Sequence, residues 1–359
     1  MSLHRFNNVS GLTETLSVRQ YKPVGYWLLA GCAMICLMVV LGGITRITQS
    51  GLSMTDWNVT GSLPPMSETE WVNEFSRYQQ YPEYKLINRN FTIGEFKNIY
   101  WWEYFHRLTG RFTGIIFLVP FAWFVLKRKL PPGFLPKGLA LLLLGASQGA
   151  LGWIMVRSGL NHVPHVSHYL LAAHFSLALT TLAITFWFAL QILSPEPEKN
   201  CVSKLRKWSV FLFAIIGIQM IYGALLAGLK GGHLYPTFPL MGENWIAPEI
   251  LSRSPVWLSF FQEGAGVQFI HRILGSSLLL IGALFFFRSK KFPLSSVLRT
   301  TVRIIAITIT AQFTLGLLTL LCHVPQWLAF MHQLTALFLF LIVVFVSYRT
   351  FHHSPAAMT

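Results

Sequence analysis

The feature that most restricts this chain is the length of its intervals without charge. No Asp, Glu, Lys or Arg occurs in 23–45, 138–156, 158–195, 208–229 or 304–348. A helix of about 20 apolar residues crosses the hydrocarbon layer of a bilayer, so each interval can span it, and the last must hold two spans. The break falls at Cys322-His323-Val324-Pro325, where proline ends one helix and can open the next. Two shorter apolar segments, 112–126 and 273–287, cross only if helix is added in front of them. That addition carries a histidine and an arginine into the membrane edge. Eight spans are expected, near 24–46, 101–126, 138–157, 166–192, 208–229, 266–287, 303–322 and 327–348. The predicted class is all-α integral membrane, and a content of 53% hydrophobic against 11% charged residues agrees with lipid as the solvent.

Basic residues set the orientation. Arg5, Arg19 and Lys22 fall on the same side as Lys127, Arg128, Lys129 and Lys137, Lys199, Lys204, Arg206 and Lys207, Arg288, Lys290, Lys291 and Arg299, and Arg349. That side is predicted to be cytoplasmic, or matrix in a mitochondrion, and to carry both termini. The opposite loops, 47–100 and 230–265, hold acids such as Glu68, Glu70, Glu74, Glu243 and Glu249. The net charge of +15 is therefore a topology signal and gives no reason to expect nucleic acid as a partner. The polar first 20 residues do not read as a cleavable signal peptide. Cys32 and Cys36 sit in the first span and Cys201 on the cytoplasmic side, so no disulfide framework is expected.

The chain also repeats itself. A shift of 165 places His106-Arg107-Leu108-Thr109-Gly110 on His271-Arg272-Ile273-Leu274-Gly275. Gln148 and Gly152 correspond to Gln312 and Gly316, Val163-Pro164 to Val324-Pro325, His174 to His332, and Trp57 with Pro64 to Trp245 with Pro248. Four helices separate the copies, so the halves run in the same direction, related by an axis along the membrane normal. The expected organisation is a tail 1–23, a four-helix bundle 24–193 with outer loop 47–100, a linker 194–207, a second bundle 208–349 and a tail 350–359.

Helices 2, 4, 6 and 8 all start on the outer side. Each carries one histidine, expected within its first two turns: His106, His174, His271 and His332. Ionisable residues inside a span are costly and usually face the bundle interior at a functional site. Two imidazoles on facing helices can ligate one haem iron, with Gly110 and Gly275 leaving room for a flat macrocycle. Arg107 and Arg272 would then offer cations to the propionates. The pairing favoured is His106 with His174 and His271 with His332. Simple interhelical hydrogen bonding is the competing reading for each histidine. Zinc is disfavoured because no Cys or carboxylate set accompanies them.

The halves differ beside these histidines. Glu103 precedes His106 by three residues, whereas Gln268 precedes His271. A carboxylate at one pocket and an amide at the other point to proton-coupled chemistry in the first half only, unless Glu103 is an interfacial partner of Arg107 or Arg111. His162, His165 and His168, spaced by three before helix 4, are a further candidate metal set, more simply read as a polar loop. His323 is placed at the edge of the second site, and His352-His353 reads as a solvated tail.

Along nearly its whole length the chain resembles the haem A synthase family. The resemblance runs from Gly42-Gly43-Ile44-Thr45-Arg46-Ile47-Thr48-Gln49-Ser50-Gly51-Leu52-Ser53-Met54 through Glu95-Phe96-Lys97-Asn98-Ile99-Tyr100 and Glu103-Tyr104-Phe105-His106-Arg107 to Thr237-Phe238-Pro239-Leu240-Met241. The resemblance implies oxidation of the C8 methyl of haem O to a formyl group, giving haem A for a terminal oxidase, by two hydroxylations and loss of water. It implies haem O held at His106 and His174, a permanent haem b at His271 and His332, and Glu103 as the catalytic carboxylate. The cysteine pair that some members carry in the first outer loop is absent here. Such a protein would lie in a bacterial cytoplasmic (inner) membrane or the mitochondrial inner membrane. Its expected partners are haem O synthase and an electron acceptor, and a homo-oligomer is compatible with the resemblance. The competing functions are a di-haem cytochrome b passing electrons between quinone and a partner, and a parallel-repeat transporter.

Overall fold

The structure is a computed structural model that describes residues 4–56, 61, 63–160, 164–194 and 203–351. Among these, eight helices are long and apolar enough to cross a membrane: α1 (Gln20–Ile47), α2 (Ile93–Leu126), α3 (Leu135–Leu160), α4 (His168–Leu193), α5 (Leu205–Gly228), α6 (Gly264–Ser289), α7 (Ser296–Leu321) and α8 (Gln326–Phe351). Their outer surfaces expose Leu118, Val119, Leu143, Leu280, Leu284, Phe287 and Ile307. An apolar belt of that extent is untenable in water and ordinary in lipid. The fold class is therefore all-α integral membrane.

In the first half α1 packs on α2 and α4, and α3 closes the ring between them; in the second, α5 packs on α6 and α8, with α7 between. The halves meet through α4 on α5, α1 on α8, and α4 on α8. Exchanging α1 with α5 and α4 with α8 maps each of these contacts onto another, as a pseudo-twofold axis between α4 and α8 requires. The largest buried cluster straddles this seam, joining Cys32, Val39, Ala178, Leu179 and Leu182 to residues of α5 to α8. Polar bonds cross it as well. The Gln333 amide donates to Val39 O at 2.7 Å, Arg46 donates to the carbonyls of Ala227 and Gly228, and the Tyr348 hydroxyl donates to Ser194 O at 2.8 Å.

The spans fall close to expectation except at two starts: α7 opens at Ser296, where the Ser295 hydroxyl accepts from the Leu298 N–H, rather than near 303, and α2 begins at Ile93 rather than near 101. A capping box explains the difference. Thr92 accepts from the Glu95 N–H and Glu95 accepts from the Thr92 N–H, so two otherwise unpaired helix-end donors are satisfied there. The added turns place His106 well beyond the second turn of its helix, while His174, His271 and His332 lie within theirs. They also give the first outer loop a platform. Trp71 and Tyr78 of a short helix, Glu68–Tyr78, pack on Phe96, Tyr100 and Tyr104. Trp57 lies outside the described residues.

Glu83, in the short helix Pro82–Leu86, is buried within this cap. The Tyr78 hydroxyl donates to it at 3.0 Å and the Asn88 amide donates to Tyr78 at 2.8 Å. Burial pushes the Glu83 carboxyl up to about 8; the Tyr78 hydrogen bond and the Lys230 ammonium oppose the rise and the Glu103 carboxylate adds to it. An unfolded glutamate titrates near 4.3, so between about 4.3 and that raised value the folded cap holds a proton the unfolded chain has released. Cap stability therefore falls as pH rises through this window and levels off above it. Protection factors for residues 67–91, taken after the intrinsic pH dependence of amide exchange is divided out, are expected to fall from about pH 5 to about pH 8. Glu83→Gln should flatten that dependence, and an unchanged slope in the variant would refute the assignment.

Candidate functional site

Each even-numbered helix lays its histidine on a glycine of the odd-numbered helix before it. A Cβ at Gly42 would stand 3.3 Å from His106 Nε2, at Gly152 3.0 Å from His174 Cε1, at Gly223 3.3 Å from His271 Cε1 and at Gly316 2.8 Å from His332 Cε1. A side chain at these positions would press into the ring, and at Gly316 it would collide with it. Small residues of this kind let membrane helices approach closely. One turn before three of the glycines stands a glutamine. Gln148 Nε2 lies 3.4 Å from His174 Nε2 and donates to His174 O at 3.0 Å. Gln219 Nε2 lies 3.3 Å from His271 Nε2 and donates to His271 O at 3.1 Å, and Gln312 Nε2 lies 3.3 Å from His332 Nε2. At the fourth place stands Met38.

The two histidines of a half sit on diagonal helices and are near enough to interact electrostatically, His106 with His174 and His271 with His332. The pairs expected from the repeat are thus the pairs the fold brings together. Nδ1 of His174, His271 and His332 is buried without a hydrogen-bond partner. No group of three or more His, Cys, Asp or Glu able to hold a metal ion occurs among the described residues. Two imidazoles near each other, with no third ligand among the described residues, suit a haem iron better than a tetrahedral ion. The set present fits a haem in each half.

Just outward of these rings, both halves pin an outer loop to a helix. Glu103 is buried and accepts four hydrogen bonds: from Ser53 Oγ at 2.7 Å, from the Met54 N–H at 2.8 Å, and from Arg107 Nε at 3.1 Å and Nη2 at 2.5 Å. Arg107 also donates to Asp56 O and Met54 O, each at 2.8 Å. The alternative that Glu103 pairs with Arg107 is therefore realised, inside the protein and not at an exposed edge. In the second half the Gln268 amide donates to Tyr235 O at 3.2 Å, and Arg272 donates to Leu240 O at 3.1 Å and Tyr235 O at 2.5 Å. Both guanidiniums, expected from the sequence to face haem carboxylates, are committed largely to loop carbonyls.

Of the other candidates, His165 and His168 lie near enough to interact electrostatically. His168 Nε2 contacts Phe261 O at 3.2 Å and its ring lies on Tyr169, while His162 lies outside the described residues. His323 is exposed in a left-handed turn, with φ 62°, and His352-His353 lies outside the described residues. Cys32, Cys36 and Cys322 are free thiols. The residues that sequence reasoning missed are Gln219, Gly223, Met38 and Gly42. Their signal is the spacing Gln-x3-Gly, noticed in α3 and α7 but also present in α5 and, with methionine, in α1.

Removing one member of a buried ion pair strands the other. Arg107→Ala is expected to cost about 3–5 kcal/mol and to release residues 50–56 from α2. Arg272→Ala, which strands only carbonyls, is expected to cost about 1–3 kcal/mol. Thermal unfolding in detergent with proteolysis of the outer loops measures both, and equal losses would refute the asymmetry.

The family described as cytochrome oxidase assembly protein matches residues 25–344. Among curated relatives, a "Heme A synthase" of Nitrosospira multiformis is 41% identical over 332 residues, covering 91% of this chain and 93% of the relative. Another of that name from Flavobacterium psychrophilum is 42% identical over 337 residues, covering 92% and 99%. "Heme A synthase COX15" of Arabidopsis thaliana is 39% identical over 350 residues, covering 94% of this chain and 76% of the relative. With similarity of this extent laid over two pseudo-equivalent histidine sites, the chain belongs to the cytochrome oxidase assembly family whose curated members are named haem A synthase.

Proposed function

We propose that this protein is a haem A synthase, an integral membrane oxidoreductase that converts the C8 methyl of haem O to a formyl group for terminal oxidase assembly. The observation that carries the reading is a pair of buried, neighbouring imidazoles in each of two equivalent bundles, with Glu103 one turn before His106 and an amide, Gln268, at the same place before His271. In this reading the first bundle, 24–193, takes haem O between His106 and His174. The second, 208–349, keeps a haem b between His271 and His332. Bound haem supplies one-electron chemistry that no side chain here provides.

The chain's own residues bind, orient and handle protons. His106 and His174 hold the substrate across the bundle axis. Glu103, one turn outward of His106, is the catalytic candidate: it accepts protons or steadies positive charge as the methyl is oxidised. Arg107 and Arg272 hold the loops 50–56 and 235–240 over the two sites and supply the positive charge that haem carboxylates require. Haem O must arrive from the enzyme that makes it, and electrons must leave to an acceptor protein, so both are partners in this reading; self-association is compatible with it. The distribution of Lys and Arg puts both termini on the cytoplasmic side of a bacterial inner membrane, or the matrix side of a mitochondrial one.

Purified protein fed with haem O, with its pigment extracted and weighed by mass spectrometry, is expected to yield alcohol and aldehyde products. Unchanged haem O with two permanently bound haems would leave a di-haem cytochrome instead. Glu103→Gln is expected to keep the haem spectrum and to lower formyl production by about a hundredfold or more. Full production in that variant would remove Glu103 from the chemistry.

A further inference from the structure

The two bundles differ in how tightly their second and third helices close. Gln148 and Gly152 of α3, which meet His174, share one face of the helix with Gly145 and Gly149, because spacings of three, four and seven residues return to the same side. The correspondence of Gln148 with Gln312 and of Gly152 with Gly316 puts Ile309 and Phe313 of α7 at the places of Gly145 and Gly149. In the second bundle both side chains close on a neighbour. Ile309 is buried, and a Cβ at Gly282 of α6 would stand 2.7 Å from its Cδ1. The ring of Phe313 meets Phe238 of the outer loop edge-on, with centroids 6.0 Å apart. In the first bundle a Cβ at Gly145 or Gly149 would meet nothing within 4 Å.

The gap this leaves is a wedge. Near the start of α3 the helices touch, since a Cβ at Gly138 would run into the Phe121 ring of α2. Two turns further on, Phe117 of α2 stands where Gly282 stands in α6, but its ring lies on Trp27 of α1, centroids 4.5 Å apart, and leaves α3 uncovered. Further outward a cavity of about 190 Å³ opens between the helices, lined by Thr55, Arg107, Trp153, Val156, Arg157 and Leu160. Val156 and Leu160 continue the glycine face of α3, and two guanidiniums at the mouth suit an anionic amphiphile. At the place of Arg157 the second half has Leu321. On the same face of the first site, His174 Nδ1 and Gln148 Oε1 are buried without a hydrogen-bond partner.

Haem O carries a long isoprenoid chain where haem b has a vinyl group, and such a chain has to leave a four-helix bundle somewhere. Lipid is the solvent that suits it. We propose that Gly145 and Gly149 hold open an exit between α2 and α3 through which this chain reaches the lipid, and that Ile309 and Phe313 shut the equivalent exit and restrict the second pocket to a haem without one. The inference rests on the function proposed above and adds the basis on which each pocket chooses its haem. Gly145 and Gly149 act by leaving space and Ile309 and Phe313 by filling it, so all four set specificity and none takes part in the oxidation.

Exchanging space for bulk tests this. Full-length protein in detergent is loaded with haem O and haem b together, and the bound pigment is extracted and counted per chain by mass spectrometry, with His106→Ala and His271→Ala identifying the pockets. The wild type is expected to hold haem O in the first pocket and haem b in the second. Gly145→Ile with Gly149→Phe should weaken haem O in the first pocket by roughly tenfold or more, while haem b binds there within about threefold of the wild type. Ile309→Gly with Phe313→Gly should let haem O compete for the second pocket. Haem O binding unchanged in the filled variant would overturn the inference. The opened variant keeps the test decisive should the filled one fail to fold, because a second pocket that still refuses haem O overturns it equally. If instead His106→Ala and His271→Ala bind haem as the wild type does, the underlying functional reading fails.

Discussion

What organises both bundles is an imidazole held close against the backbone of the preceding helix. In hydrocarbon no water relieves a buried imidazole, so its nitrogens must find partners on a neighbouring helix or remain unsatisfied at a cost of several kcal/mol. Glycine at 42, 152, 223 and 316 lets the neighbouring helix come close enough for the ring to rest on it. Three glutamines supply a donor from the same helix face. Close approach, polar satisfaction and ligand orientation are thus one device repeated along the chain.

That device also explains why the outer loops are fixed so firmly. Glu103 with Arg107, and Gln268 with Arg272, stand within a turn of the ligating histidines and reach outward to loop backbone. A loop held in this way roofs the site and keeps water from it, which strengthens every electrostatic interaction beneath. The two roofs differ by one carboxylate. In the first half the roof carries a buried ion pair, in the second only neutral acceptors meet the guanidinium, and the chemistry proposed for the halves differs in the same sense.

Much of this was legible in the sequence, because the bilayer imposes a length and a polarity that composition cannot disguise. The uncharged intervals located all eight helices, and the repeat located all four histidines. The start of α2 was misjudged because the apolar pattern ends near 101, whereas the helix is begun by a polar capping box at Thr92 and Glu95 that hydrophobicity does not register. The charge of Arg107 and Arg272 was legible, but their bonds to backbone carbonyls 51 and 32 positions away in sequence were not, because no local pattern marks such an acceptor. Met38 was overlooked for a different reason: the Gln-x3-Gly spacing that marks its place was followed only in α3 and α7, and in α1 methionine stands where the glutamine does.

The seam between the bundles carries a consequence of its own. Because α4 meets α8 across the pseudo-axis, and α1 on α8 mirrors α5 on α4, one four-helix unit would present to a copy of itself the surface it needs to be covered. Two identical subunits can satisfy that geometry, but they are bound to hold identical pockets. Fusing them into one polypeptide removes the obligation. A methionine can then replace a glutamine, and a glutamate an amide, on one side only, so division of labour between the sites is a property that tandem duplication permits and symmetric dimerisation forbids.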